Sequence, residues 1–158
     1  MVQSLILHDE EFNALVHTAT ELCKTASARA VLLVDKDGQL LATAGDDQAL
    51  DALSIASLTA GNVAATDGLA KLLGENEFGE LYHQGEKDNI HISAAGERVL
   101  MVVIFNHRSS LGLVRLRVQQ VVDTVVATVR RALERTTVSS DALSDLTVSE
   151  IDALLGEE

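Results

Sequence analysis

Residues 53–74 read LSIASLTAGNVAATDGLAKLLG. At about 100° per residue, Leu58, Leu69, Asn62, Ile55, Leu72 and Leu73 collect on one side of a helix. Leu53, Ser57, Gly61, Ala64, Gly68 and Lys71 collect on another, and most of these are small. Gly61 and Gly68 each cost about 1 kcal/mol relative to Ala inside a helix, so a packing reason is expected for them. The bulky side is expected to pack on a sheet. The small side is flat and lets a second backbone come close. Two readings stay open at this point: a small-residue core helix within a monomer, or a helix that faces another protein chain.

The flanking sequence supplies the sheet. Residues 30–34 (AVLLV) are a continuous apolar run, the pattern of a strand covered on both faces. Asp35-Lys36-Asp37-Gly38 is a hairpin turn, and residues 39–44 return as a second, less apolar strand. Asp35 also starts a stretch like a calcium loop, but no glutamate stands at the twelfth position and the glycine comes too early. Residues 78–84 and 89–94 read as two strands joined by a loop containing Gly85. Residues 98–105 (RVLMVVIF) are apolar on both faces after Arg98 and belong at the sheet centre.

Helices bracket these strands. Asp9 is a candidate N-cap with Glu10 and Glu11 in the first turn, followed by Phe12, Leu15, Val16, Ala19, Leu22 and Cys23 at helical spacing. From about Ser110, Val114, Val118, Val121, Val122, Val125, Val129 and Leu133 hold the same period. The order α-β-β-α-β-β-β-α with short connections predicts an α+β fold: an antiparallel five-stranded sheet with helices on both faces. Residues 30–34 and 98–105 are expected to be adjacent and central, with 39–44 and 78–84 at the edges. This domain is expected over residues 5–136.

Residues 137–158 change character. They carry Asp141, Asp145, Glu150, Asp152, Glu157 and Glu158 without a base, and are expected to form a flexible acidic tail. Within them Thr147 and Glu150 make a capping box, and Leu146 and Ile151 a hydrophobic staple. That predicts a short amphipathic helix over about 147–156, with Ile151, Leu154 and Leu155 as its apolar edge.

Composition narrows the function. Of 158 residues, 47% are hydrophobic and only 3% aromatic, so the core is aliphatic. The net charge of −12 and the lack of aromatic interleaving argue against nucleic-acid binding, although Arg108, Arg115, Arg117, Arg130, Arg131 and Arg135 cluster. No apolar run nears 18 residues and no leader pattern opens the chain, so no membrane insertion is expected. The lone Cys23 fits a reducing cytosol. Neither phosphate-cradling glycine loop occurs, and no nucleophile elbow surrounds a serine. Glu80-x-x-His83 is the one hint of a metal pair, but on a strand its members face opposite sides. His8, His17, His83, His91 and His107 read as surface or partly buried residues. No catalytic residue, metal or cofactor is expected, and a binding or regulatory role becomes the default.

Residues 57–65 (SLTAGNVAA) and 68–78 (GLAKLLGENEF) resemble the Roadblock (dynein light chain) superfamily, and within it the MglB family of bacterial polarity and gliding-motility proteins. Residues 34–40, 102–105 and 110–116 are similar in the same way, and the resemblance runs over about residues 5–135. It implies a cytoplasmic homodimer, concentrated at a cell pole, that binds a Ras-like GTPase of the MglA type. In that family two copies bind one GTPase and stimulate GTP hydrolysis without an arginine finger. Positions matching the partner-facing helix are Thr59, Ala60, Ala64, Ala65, Gly68 and Lys71. Leu53, Ser57, Gly61, Phe78 and Tyr82 are the expected dimer interface, and Ile151, Leu154 and Leu155 the tail contacts. A scaffold that anchors a partner without activating it, or a small-ligand sensor on a similar topology, would fit the same elements.

Overall fold

The computed structural model describes residues 4–46 and 48–156, with only the backbone at Leu146 and Thr147. Strand β1 (Ala30–Asp35) is buried at every position. Its alternation sends Val31 and Leu33 into one apolar cluster and Ala30, Leu32 and Val34 into another. Strand β2 (Leu40–Gly45) returns antiparallel to it, with a register shift between Leu33 and Val34. The turn between them is built as its sequence predicts. The Asp35 carboxylate accepts the Asp37 N–H at 3.1 Å, the Gly38 N–H donates to the Asp35 carbonyl at 2.8 Å, and Gly38 adopts φ +94°.

Strands β3 (Glu80–Gln84), β4 (Asn89–Ala95) and β5 (Val99–Phe105) form a meander. The sheet order is β2-β1-β5-β4-β3, all antiparallel, so the two most apolar strands are adjacent and the two polar ones are edges. Residues 78 and 79 lie outside β3, which begins at Glu80 rather than Phe78.

Helix α1 (Asp9–Thr25) and helix α3 (Leu111–Leu155) cover one sheet face, packing Leu15, Leu22, Val114, Val118, Val125 and Val129 on it. Helix α2 (Ala52–Leu72) covers the other alone. Asp9 is the first residue of α1 and not its cap. The cap position is His8, which makes no side-chain bond there. The three acids still occupy the first turn, where the helix dipole favours them.

Two expectations are corrected by the helices. Of the bulky side of α2 Ile55 packs toward the sheet, but Leu58, Leu69, Leu72 and Leu73 are exposed. The face turned inward carries Ala56, Thr59, Ala60 and Ala70, all buried. The sheet beneath already presents Leu32, Leu100, Val102 and Ile104, and small residues let the helix backbone settle close to them. The second correction concerns the C-terminal segment. Backbone 111–155 is one helix, so residue 147 does not start a new one. Residues 136–146 hold no Gly or Pro to stop propagation, and extending a helix costs less than nucleating another. The side chains of Leu146 and Thr147, which carry part of the expected staple and box, lie outside the described residues, as do residues 157 and 158.

Candidate protein-interaction surface

Helix α2 is capped by Asp51, whose carboxylate accepts from the Ser54 N–H at 3.1 Å and the Ser54 hydroxyl at 2.6 Å. The Ser54 side chain, and then its N–H, hold the Asp51 carboxyl below its usual range. At the other end Gly74 adopts φ +79° and its N–H donates to the Lys71 carbonyl, which closes the helix where the sequence predicts.

Between these ends, α2 is apolar nearly all round, yet one face only meets the sheet. Leu58 is 74% exposed and Leu72 83%, and Leu53, Leu69 and Leu73 are also exposed. Two sides of this exposed surface differ. Asn62 Nδ2 lies 3.0 Å from His83 Nε2, so the side bearing Asn62, with Leu58 and Leu69 beside it, turns toward edge strand β3. On the opposite side Gly38 of the β1–β2 turn lies against Ser57 and Ala60. Ser57, Ala64, Gly68 and Lys71 continue along that side and are exposed. A side chain added at Gly61 or Gly68 would meet nothing within 4 Å, so neither glycine is needed for packing within the chain.

The structure redistributes the residues expected from sequence. Ala64, Ala65, Gly68 and Lys71 form an exposed patch, with Leu53, Ser57 and Gly61 adjoining it. Thr59 and Ala60, at 6% and 9% exposure, face the chain's own sheet. Small size at these two positions serves helix–sheet approach, which a helical wheel alone does not distinguish from approach to a second chain. Phe78 lies beside Val63 and Thr66 on the α2 face. Tyr82 does not join it. Its ring stacks on Phe105 with centroids 6.2 Å apart, on the face covered by α3. Ile151, Leu154 and Leu155 are exposed near the end of α3, some way beyond the last sheet-packed residues.

Sequence reading missed Leu58, Leu69, Leu72 and Leu73 as surface residues. The available signal was that α2 is apolar all round, which requires cover on more than one face. It also placed His91 too near the surface. That ring is 1% exposed, with Nε2 3.1 Å from a Glu80 carboxylate oxygen but poorly aligned for a hydrogen bond. His83 and His91 fall on opposite sheet faces, because Tyr82 pairs with His91 and His83 with Ile90. Among the described residues, no group of three His, Cys, Asp or Glu is placed to hold a metal ion. No helix among them is long and apolar enough to cross a membrane.

A β2-β1-β5-β4-β3 sheet with α2 on one face and α1 and α3 on the other is a fold shared with known proteins. The Roadblock/LC7 domain model matches residues 16–105. The chain belongs to the Roadblock/LC7 family. This Roadblock/LC7 chain is 48% identical to Myxococcus xanthus MglB, with a TM-score of 0.76 over 81% of this chain and 96% of that one. It is 34% identical to the gliding protein MglB of Thermus thermophilus, with a TM-score of 0.76 over 83% and 99%. An MglB solved with a tetrameric arrangement is 33% identical, with a TM-score of 0.77 over 84% and 99%. No curated protein matches the chain.

Proposed function

We propose that this chain is a homodimeric regulator that binds a Ras-like GTPase of the MglA type in the cytoplasm and stimulates its GTP hydrolysis. The observation that carries the proposal is the uncovered outer surface of α2, apolar toward β3 and small-featured toward the β1–β2 turn. Similarity to MglB proteins over four-fifths of the chain supports it.

The two sides of α2 divide the work. Leu58 and Leu69 lie on the side of β3, whose outer backbone groups have no strand partner among the described residues. Pairing of two copies about a twofold axis would cover both, with the sheet continuing across. Self-association of a relative, the tetrameric MglB, supports this. Ala64, Gly68 and Lys71, on the other side, would receive the GTPase, with Ala65 on the outermost line between the two sides. The chain has no active site in this reading. Lys71 is the only Lys or Arg of α2, and the arginines of α3 belong to the opposite sheet face. Positive charge on the transferring phosphoryl group would therefore come from the GTPase itself, its own residues being positioned by the regulator.

The C-terminal part of α3 would add a second contact through Ile151, Leu154 and Leu155, whose acidic neighbours Glu150 and Asp152 call for a basic groove on the partner. The test is titration of a GTP-loaded MglA-type GTPase with this chain. Saturation at two copies per GTPase is expected. Saturation at one copy would contradict the dimeric mode of binding, and no binding would contradict the proposal.

A further inference from the structure

The Glu80-x-x-His83 spacing, which makes no metal site, joins the two helical layers across an edge strand. Glu80 points to the α3 face. Its carboxylate accepts from Arg115 Nε at 2.8 and 3.0 Å and stands 3.1 Å from the buried His91 ring, with Tyr82 two positions along the same face. His83 points to the α2 face, where Asn62 lies at 3.0 Å. Asn62 is in turn bonded through its side-chain oxygen and its carbonyl to the Thr66 hydroxyl. Among the described residues, strand β3 has a single strand neighbour, β4. Within one chain β3 is held by one ladder, so the side-chain ties on its two faces add to what links it to the helical layers, whether or not a second copy pairs with its outer edge.

We propose that β3 couples the interaction helix α2 to the C-terminal helix α3, with Arg115–Glu80 and His83–Asn62 as the two ends of the tie. Shifting or loosening either helix then alters β3, and through it the other helix. The role given to α2 rests on the function proposed above, but the tie itself is a property of the chain alone.

The test is hydrogen–deuterium exchange on the full chain without partner, at a concentration where sedimentation gives the same association state for every variant. Glu80→Gln and the milder Arg115→Lys remove charge or bidentate geometry on the α3 side. Both are expected to speed exchange in β3 and also around Asn62 of α2, by about fivefold or more. Asn62→Ala is expected to speed exchange in β3 and in the first turns of α3. Variants that loosen only their own side, leaving the opposite helix unchanged, would overturn the coupling. So would a uniform acceleration that includes α1, because it reports global destabilisation. Failure here leaves GTPase binding intact, whereas loss of GTPase binding leaves these exchange rates unchanged.

Discussion

Gly68 is exposed, its φ is ordinary for a helix, and an added side chain would find open space. Ala64 lies four residues before it on the same face. Replacing both with Arg should therefore leave the fold intact, and exchanging Gly for Arg within a helix is favourable by up to about 1 kcal/mol. The long charged side chains would hold a partner off the small side of α2. Ala64→Arg with Gly68→Arg is expected to abolish GTPase binding while circular dichroism and dimer mass stay unchanged. Full binding by the folded double variant would remove this side of α2 from the interface. Glu80 makes a separate prediction. The Arg115 guanidinium holds its carboxyl below the usual range, so its contribution to stability is complete above the ordinary Glu value of about 4.3. That contribution is lost as pH falls below this value through the lowered folded one. An acid titration of unfolding should accordingly be less steep below about pH 4 for Glu80→Gln than for the native chain. Residue roles were only partly legible in the sequence. Ala64 and Ala60 are chemically alike, and their different exposure depends on where the sheet lies beneath α2.

At the scale of elements, the strands were legible because their apolar density matched their place. A strand apolar on both faces, such as β5, has one stable position, between neighbours and under two helical layers. The orientation of α2 was not legible, because a helix apolar nearly all round has no single preferred buried face. Nor was the length of α3. Start signals at Thr147 compete with propagation from the preceding turns, and the described backbone is helical through them. The proposal for the C-terminal segment does not depend on that boundary. Deleting residues 140–158 is expected to leave fold and dimer intact, since sheet-packed positions of α3 end near Leu133, and to weaken GTPase binding by about 1–3 kcal/mol. Ile151→Asp with Leu155→Asp should reproduce most of that loss in a calorimetric titration. Unchanged affinity in both variants would show the segment to be an acidic extension without a binding role.

At the scale of the molecule, one sheet face is sealed by α1 and α3 while the other carries a single helix with large exposed leucines. Several such residues on one helix beside an open strand edge form an apolar surface that normally marks a contact between proteins. The dimer is predicted to use the Leu58 and Leu69 side together with β3. Leu58→Asp with Leu69→Asp should convert it to a monomer in sedimentation at tens of micromolar, roughly the range where a stable homodimer remains associated. A dimer that survives both charges would place self-association elsewhere. The central claim is that covering α2 with a GTPase changes the chemistry of that GTPase. Its most direct test is the single-turnover rate of GTP hydrolysis by a cognate MglA-type GTPase, measured alone and with a saturating excess of this chain. A rate at least tenfold higher is expected with the chain present, about 1.4 kcal/mol or more of transition-state stabilisation. An unchanged rate with binding demonstrated would contradict it and make the chain a scaffold.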